Sequence, residues 1–127
     1  MRVIKLMIGR NIQPMGARVL VLGLTFKENC PDVRNTKVAD VVTELQGFAC
    51  KVDVYDPWVS AAEAQREYGI TPIAMPKAGS YDAIVVAVAH KEFVDMGVSG
   101  IRAFGSPNTV IFDIKHVLPK EASDGRL

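Results

Sequence analysis

The sequence predicts an α/β fold in which a parallel sheet is covered by helices on both faces. Residues 18–24 are apolar after Arg18, and residues 81–89 are apolar apart from Asp82. Both runs are typical of strands that are buried on both sides. Segments with apolar residues at helical spacing lie between the predicted strands, and no hairpin turn joins any two of them. We therefore expect a doubly wound, three-layer α/β/α arrangement of about five parallel strands.

The first part of the chain predicts a helix, a strand and a second helix. Residues 1–8 are apolar at helical spacing without a capping residue before them, so we interpret residues 1–16 as the end of an upstream helix and a linker. Residues 18–24 form the first predicted strand. The next helix starts at Thr36 and stops at Gly47, and its positive dipole end lies next to the loop after the strand.

The middle of the chain predicts a second strand, a capped helix and a short third strand. Residues 51–56 alternate between polar and apolar side chains and end in an acid. Ser60 is the predicted N-cap of the next helix, with Glu63 as its capping-box partner. Residues 70–74 are assigned to a short third strand.

The last part of the chain predicts two more strands and two short helices. Residues 81–89 and 109–113 are the strands, and residues 92–96 and 101–104 are the helices. With this order of elements the sheet is predicted to be Rossmann-like. Residues 121–127 are polar and are expected to fray.

Length and composition limit the possible classes of protein. The chain has 127 residues, of which 49% are hydrophobic and 23% are charged, so one domain at residues 17–120 can bury a single core. Fifteen basic and 14 acidic residues leave a net charge of +1, which argues against a nucleic-acid partner. No apolar run is long enough to cross a membrane. Cys30 and Cys50 lack metal-ligand spacing, so we expect no metal site and a reducing, cytoplasmic location.

The loop at residues 23–36 is the strongest candidate for a ligand site. It follows the first strand, at the carboxyl edge where open α/β sheets bind ligands. Further glycines of a phosphate-binding loop are missing after Gly23, whereas Lys27 and Arg34 are available. Side-chain cations in place of bare backbone amides favour pairing with a polyanion such as a diphosphate.

Several of these residues have two interpretations. Lys27 could reach a pyrophosphate while Phe26 covers a base or sugar, or both could be ordinary loop residues. Arg34 could bind an anion or pair with the carboxylate of Asp32. Asp56 could hold a ribose of a dinucleotide, but a turn role is favoured because the glycine fingerprint is missing.

Other polar residues are expected to be structural. His90 ends a buried strand and is interpreted as a hydrogen-bonding residue of the fold. Cys30 follows an acid and an amide, which do not favour a reactive thiolate. Lys37, Asp40 and Glu44 are expected to form the solvated face of their helix.

The motif at residues 23–36 resembles the opening motif of the C-terminal, UDP-binding domain of the UDP-glucose/GDP-mannose dehydrogenases. Three later segments are similar to that domain in the expected order, namely residues 54–57, 87–93 and 111–118. The residues at 29–32 and 34–36 resemble the branch that oxidises UDP-N-acetylhexosamines for surface polysaccharides.

The resemblance implies an NAD-dependent enzyme that oxidises the C6 hydroxyl of a UDP-sugar to a carboxylate. It implies that NAD and the catalytic thiolate belong to N-terminal and central domains outside this chain, that the full protein is a homodimer or larger, and that this chain alone is inactive. A stand-alone nucleotide- or diphosphate-binding regulatory module remains an alternative. An enzyme that binds NAD within this chain is less favoured.

The resemblance also assigns roles to individual residues. It places Phe26 and Lys27 against the UDP-sugar, and Arg34 toward the NAD of the N-terminal domain. Lys115 occupies a position where the family frequently has arginine, so it matches in charge and is assigned to the nucleotide. No residue of this chain is expected to be catalytic, because Cys30 lacks the two preceding glycines of the family's catalytic cysteine.

Overall fold

A computed structural model describes residues 1–126 of the chain. One sheet contains five parallel strands in the order β2-β1-β3-β4-β5. The strands are β1 (Arg18–Leu22), β2 (Lys51–Tyr55), β3 (Tyr81–Val86), β4 (Gly105–Asp113) and β5 (Gly125–Arg126). The helices are α1 (Arg2–Gly9), α2 (Val38–Gly47), α3 (Ala61–Tyr68) and α4 (Lys91–Arg102), with a 3₁₀ turn at Lys120–Ala122. The predicted doubly wound parallel sheet is confirmed.

The alternation of side chains along β1 divides the core into two halves. Val19 and Val21 point to one face and pack with α1, α2 and α3, while Leu20 and Leu22 point to the other face and pack with α4. All four side chains are completely buried. Burial on both faces explains why β1 is a continuous apolar run, and it produces the three predicted layers.

Helix α1 packs directly on the sheet. Its residues Val3, Ile4 and Met7 are buried in the same half of the core as Val19. Arg10, just after the helix, donates to the carbonyl oxygen of Thr109 at 2.7 Å and forms an ion pair with Asp124. The segment that was assigned to an upstream helix and linker therefore contributes to the core of this domain.

The predicted third strand at residues 70–74 is wrong. This segment contacts β2 through one backbone hydrogen bond, from the N–H of Ile73 to the carbonyl oxygen of Val54 at 2.8 Å. Pro72 has no N–H to donate, which limits the pairing that the segment can make. The fifth strand is instead β5, in the part of the chain that was expected to fray.

The C-terminal segment is attached to β4 by a side chain as well as by the backbone. Asp124 accepts a hydrogen bond from the N–H of Ile111 at 2.8 Å, and its own N–H donates to the carbonyl oxygen of Ile111 at 2.8 Å. Parallel pairing follows at Gly125 and Arg126. The described part of residues 121–127 is thus a turn and a strand, and Leu127 lies outside the described residues.

The two short helices predicted at residues 92–96 and 101–104 form the single element α4. Gly97 interrupts it with backbone angles of φ 65° and ψ −170°, which explains why the sequence pattern is broken there. Among the helices of residues 1–126, none is both long and apolar enough to span a membrane.

Candidate nucleotide-binding site

The loops after β1 and β3 touch at the carboxyl edge of the sheet. Gly23 has a φ of +101°, and a Cβ atom there would lie 2.6 Å from Val88 Cβ and 2.9 Å from the Val88 nitrogen. The N–H of Val88 donates to the carbonyl oxygen of Leu22 at 3.3 Å. Only glycine fits this contact, so the first residue of the motif is required for the approach of the two loops.

The carboxylate of Asp56, directly after β2, holds the start of the motif loop. Its Oδ2 accepts hydrogen bonds from the N–H groups of Leu24 at 2.7 Å and Thr25 at 3.0 Å. Its Oδ1 accepts from the N–H of Trp58 at 2.8 Å. Asp56 is buried. The predicted turn role is confirmed, and these bonds engage both oxygens of the buried carboxylate, which disfavours a ribose as its partner.

These contacts also change the acidity of Asp56. Burial alone would favour the neutral acid and raise the pKa. Hydrogen bonds from His90 and from the backbone N–H groups of Leu24, Trp58 and Thr25 outweigh burial and hold the pKa of Asp56 below its ordinary value. Asp56 is therefore a carboxylate at neutral pH.

The hydrogen bonds of His90 define its tautomer. Nδ1 lies 2.9 Å from the N–H of Asn29 and must accept, so the imidazole proton is on Nε2. Nε2 lies 2.9 Å from Asp56 Oδ2 and 3.0 Å from Thr25 Oγ1. His90 is completely buried and is flanked by the rings of Trp58 and Phe93. Its structural interpretation is confirmed.

We call Thr25, Asp56 and His90 the buried anchor. Asn29 extends it, because its side-chain oxygen accepts from the N–H of Lys91, the first residue of α4, at 2.8 Å. The sequence alone predicts separate structural roles for Asp56 and His90. Their juxtaposition could have been found from their positions, since each closely follows a strand adjacent to β1 in a parallel sheet.

A cavity of about 390 Å³ borders the anchor at Thr25, and we call it the lysine cavity. Two of the predicted site residues, Phe26 and Lys115, line it together with Lys37. Phe26 is 58% exposed, so its ring is available for contact with a ligand. The remaining lining is formed by Thr25, Thr36, Val38, Val41, Ala87, Val88 and Ile114.

Lys115 is positioned by a turn after β4. The buried carboxylate of Asp113 accepts from the N–H groups of Val117 at 3.1 Å and Leu118 at 2.8 Å, which closes the turn around Lys115. The N–H of Ile114 donates to the carbonyl oxygen of Val86 at 3.0 Å. The lysine thus lies on a loop fixed to the sheet on both sides.

A second cavity, of about 810 Å³, adjoins the first, and we call it the arginine cavity. Arg34 lines it with Asp40 and Glu67. The two cavities have three lining residues in common, namely Phe26, Thr36 and Lys37. These three residues form the wall between the cavities.

Arg34 is paired with Asp32. Its Nε and Nη2 lie 3.0 Å and 3.1 Å from the two carboxylate oxygens, and its backbone N–H also donates to Asp32 at 2.9 Å. The guanidinium hydrogen bond holds the pKa of Asp32 below its usual range. The sequence left open whether Arg34 binds an anion or pairs with Asp32, and the structure shows the pair with Asp32. A role of Arg34 toward a cofactor stays a prediction.

The structure brings together Phe26 and Lys115 but not Lys27. Lys27 is exposed and is not part of the lining of either cavity, although its carbonyl oxygen accepts from Thr25 Oγ1 at 3.2 Å. Lys37 takes its place in the lining, although the helical pattern predicts it on the solvated face of α2. Within residues 1–126 no group of three or more histidine, cysteine or acidic side chains could hold a metal ion.

Two sequence relatives match nearly the whole chain. A UDP-N-acetyl-D-glucosamine 6-dehydrogenase from Salmonella typhi is 55% identical over 126 residues, which are 99% of this chain and 30% of that protein. An enzyme of the same description from Pseudomonas aeruginosa is 54% identical with the same coverage. The chain thus spans 30% of the length of these relatives.

Solved structures have the same fold. A UDP-D-ManNAc dehydrogenase from Pyrococcus horikoshii superposes with a TM-score of 0.75 at 26% identity, over 96% of this chain and 28% of that chain. An NDP-N-acetyl-D-galactosaminuronic acid dehydrogenase from Methanosarcina mazei has a TM-score of 0.79 at 20% identity, over 98% of this chain and 28% of that chain, and supports the fold alone.

The family model described as the UDP-binding domain of the UDP-glucose/GDP-mannose dehydrogenase family matches residues 20–120. This range contains the motif loop, the buried anchor and both cavities. The resemblance inferred from the motif is confirmed: the chain belongs to the UDP-glucose/GDP-mannose dehydrogenase family and corresponds to its UDP-binding domain.

Proposed function

We propose that this chain is the UDP-sugar-binding part of an NAD-dependent UDP-sugar 6-dehydrogenase whose substrate is a UDP-N-acetylhexosamine. The observation that carries the proposal is the 55% identity to a UDP-N-acetyl-D-glucosamine 6-dehydrogenase across 99% of the chain. The enzyme would oxidise the C6 hydroxyl to a carboxylate in two hydride transfers to NAD. The product would serve polysaccharide biosynthesis in the cytoplasm.

The residues of the lysine cavity suit one end of such a substrate. Lys115 offers a cation that can pair with a phosphate, and the exposed ring of Phe26 can cover a base or a sugar. The apolar part of the lining can contact the flat face of a base. Lys27 is assigned to the UDP-sugar by resemblance, and it is exposed outside the lining of the cavity.

The loop after β1 does not fit NAD in the way that a dinucleotide-binding domain does. Leu24 and Thr25 stand where further glycines would be needed, and their N–H groups are bonded to Asp56 rather than available to a pyrophosphate. Asp56 itself is engaged by three backbone N–H groups and His90. We therefore assign NAD to a domain outside this chain, with Arg34 as the one residue here directed toward it.

The direct test is a titration of the chain with UDP, followed by NMR amide shifts. Shifts are expected at residues 24–38 and around Lys115. Lys115→Ala should raise the dissociation constant about fivefold to tenfold, the effect of losing one charge-assisted contact. The matched control is Lys51→Ala, which removes an exposed lysine at the start of β2, at the opposite end of the strands from the site. It should leave the dissociation constant unchanged.

Two outcomes of the titration would contradict the proposal, and a third would favour the alternative. Shifts with NAD centred on Gly23 and Asp56 would indicate a dinucleotide-binding domain. Equal affinity for UDP in the wild type and in Lys115→Ala would remove the lysine cavity as the site. Micromolar binding of UDP by the chain alone would favour the regulatory-module alternative, since a cleft shared between domains gives one wall a low affinity.

We expect no turnover by this chain alone. With UDP-N-acetylglucosamine and NAD, NADH absorbance should stay at the level of the protein-free control. The family's thiolate is assigned to an upstream domain, and Cys30 is a half-buried residue of the motif loop. NADH formation that is lost in Cys30→Ser would overturn both assignments. The homodimeric or larger assembly is likewise proposed for the full-length enzyme.

A further inference from the structure

Lys37 is placed where one side chain can serve both cavities. It directly precedes α2, and its side chain makes no capping hydrogen bond. The cap is supplied by Thr36, whose Oγ1 accepts from the N–H of Val38 at 3.2 Å. Within residues 1–126 the ammonium of Lys37 makes no hydrogen bond or ion pair, so it is available to a ligand.

The charges of the two cavities differ. The lining of the lysine cavity, as formed by residues 1–126, contains two lysines and no carboxylate. The arginine cavity contains Asp40 and Glu67, and the cation of Arg34 is paired with Asp32. An anion is therefore favoured on the lysine side of the shared wall and disfavoured beyond it.

We propose that Lys37 is a ligand of the diphosphate of the UDP-sugar and acts together with Lys115. This inference rests on the proposed function, because it assigns a further residue to the same site. The positive end of the α2 dipole lies next to Lys37 and adds to the attraction. A nucleoside without phosphates gains nothing from either lysine, so the contribution of Lys37 is specific for the diphosphate.

The test compares UDP with uridine in Lys37→Ala, Lys37→Arg and the wild-type chain. Lys37→Ala should raise the dissociation constant for UDP about fivefold to tenfold and leave that for uridine unchanged. Lys37→Arg keeps the charge and should stay within about twofold of the wild type. The affinity for UDP should also fall less steeply with added salt in Lys37→Ala, because one ionic contact is missing. Lys51→Ala is again the control.

The outcomes separate this inference from the proposed function. If Lys115→Ala weakens UDP binding and Lys37→Ala does not, the assignment of Lys37 is wrong and the site stands. If Lys37→Ala weakens UDP and uridine equally, its effect is structural and the assignment is also wrong. If the wild-type chain binds no UDP at millimolar concentration, both the assignment of Lys37 and the proposed function are overturned. Circular dichroism of Lys37→Ala should match the wild type, because Thr36 still caps α2.

Discussion

Replacement of Asp56 with alanine is expected to lower the free energy of unfolding by about 3 kcal/mol or more, because it leaves several buried hydrogen-bonding groups without a partner. The N–H groups of Leu24, Thr25 and Trp58 and the Nε2–H of His90 all donate to this carboxylate. Urea unfolding followed by circular dichroism would measure the loss.

Two further variants make the result interpretable. Asp56→Asn keeps one oxygen acceptor but brings an NH₂ group toward other donors, so we expect an intermediate loss of stability. Asp95→Ala removes an exposed aspartate of α4 and should change the free energy of unfolding by less than about 0.5 kcal/mol. Equal stability of Asp56→Ala and Asp95→Ala would show that the buried anchor contributes little.

The same carboxylate makes stability depend on pH in a defined direction. The pKa of Asp56 is lowered by folding, so the folded state binds its proton less readily than the unfolded chain. The stabilisation is fully present above the unfolded pKa of about 3.9 and is lost as the pH falls through the lower pKa of the folded state. Asp56→Asn should lose this component of the acid sensitivity.

Replacement of Gly23 is the second change with a large expected effect. Gly23→Ala places a Cβ 2.6 Å from Val88 Cβ and 2.9 Å from the Val88 backbone nitrogen, at a φ of +101° that side chains rarely adopt. We expect a loss of about 3 kcal/mol or more in the free energy of unfolding, since overpacking and backbone strain add. A lower midpoint temperature of thermal unfolding would report this loss of stability.

Gly47→Ala is the matched control, because nothing lies within 4 Å of a Cβ at this position in the last turn of α2. It should be neutral or slightly stabilising, since alanine favours a helix over glycine. A double change of Gly23→Ala with Val88→Ala should recover only part of the loss, because the backbone contact and the φ remain. If Gly23→Ala were as stable as Gly47→Ala, the close contact at the sheet edge would be disproved.

The strands buried on both faces could be predicted from the sequence, since short apolar runs such as those of β1 and β3 are typical of buried parallel strands. The cap of α3 was equally visible, and Ser60 does accept from the N–H of Glu63 at 3.3 Å. Strand β5 was not predictable. It has two residues and is held by Asp124 and the neighbouring β4, which are contacts that local sequence does not encode.

For the candidate site, the loop, Phe26 and Lys115 could be located from the sequence, whereas Lys37 could not. Phe26 and Lys115 were identified from the resemblance, and the structure places both in one cavity. Lys37 was missed because a helical pattern assigns residues to faces and ignores that the residue just before a helix lies at the edge of the sheet. The buried anchor was missed because its members come from loops after three different strands.

The buried anchor has a consequence for the thermodynamics of recognition. A flexible loop must be ordered when it meets its ligand, and the lost conformational entropy is subtracted from the affinity. Here Leu24, Thr25 and Asn29 are bonded to Asp56 and His90 in the free protein, so that ordering is completed during folding. The segment that carries Phe26 is preorganised, so a ligand that bound there would not have to restrain its backbone first.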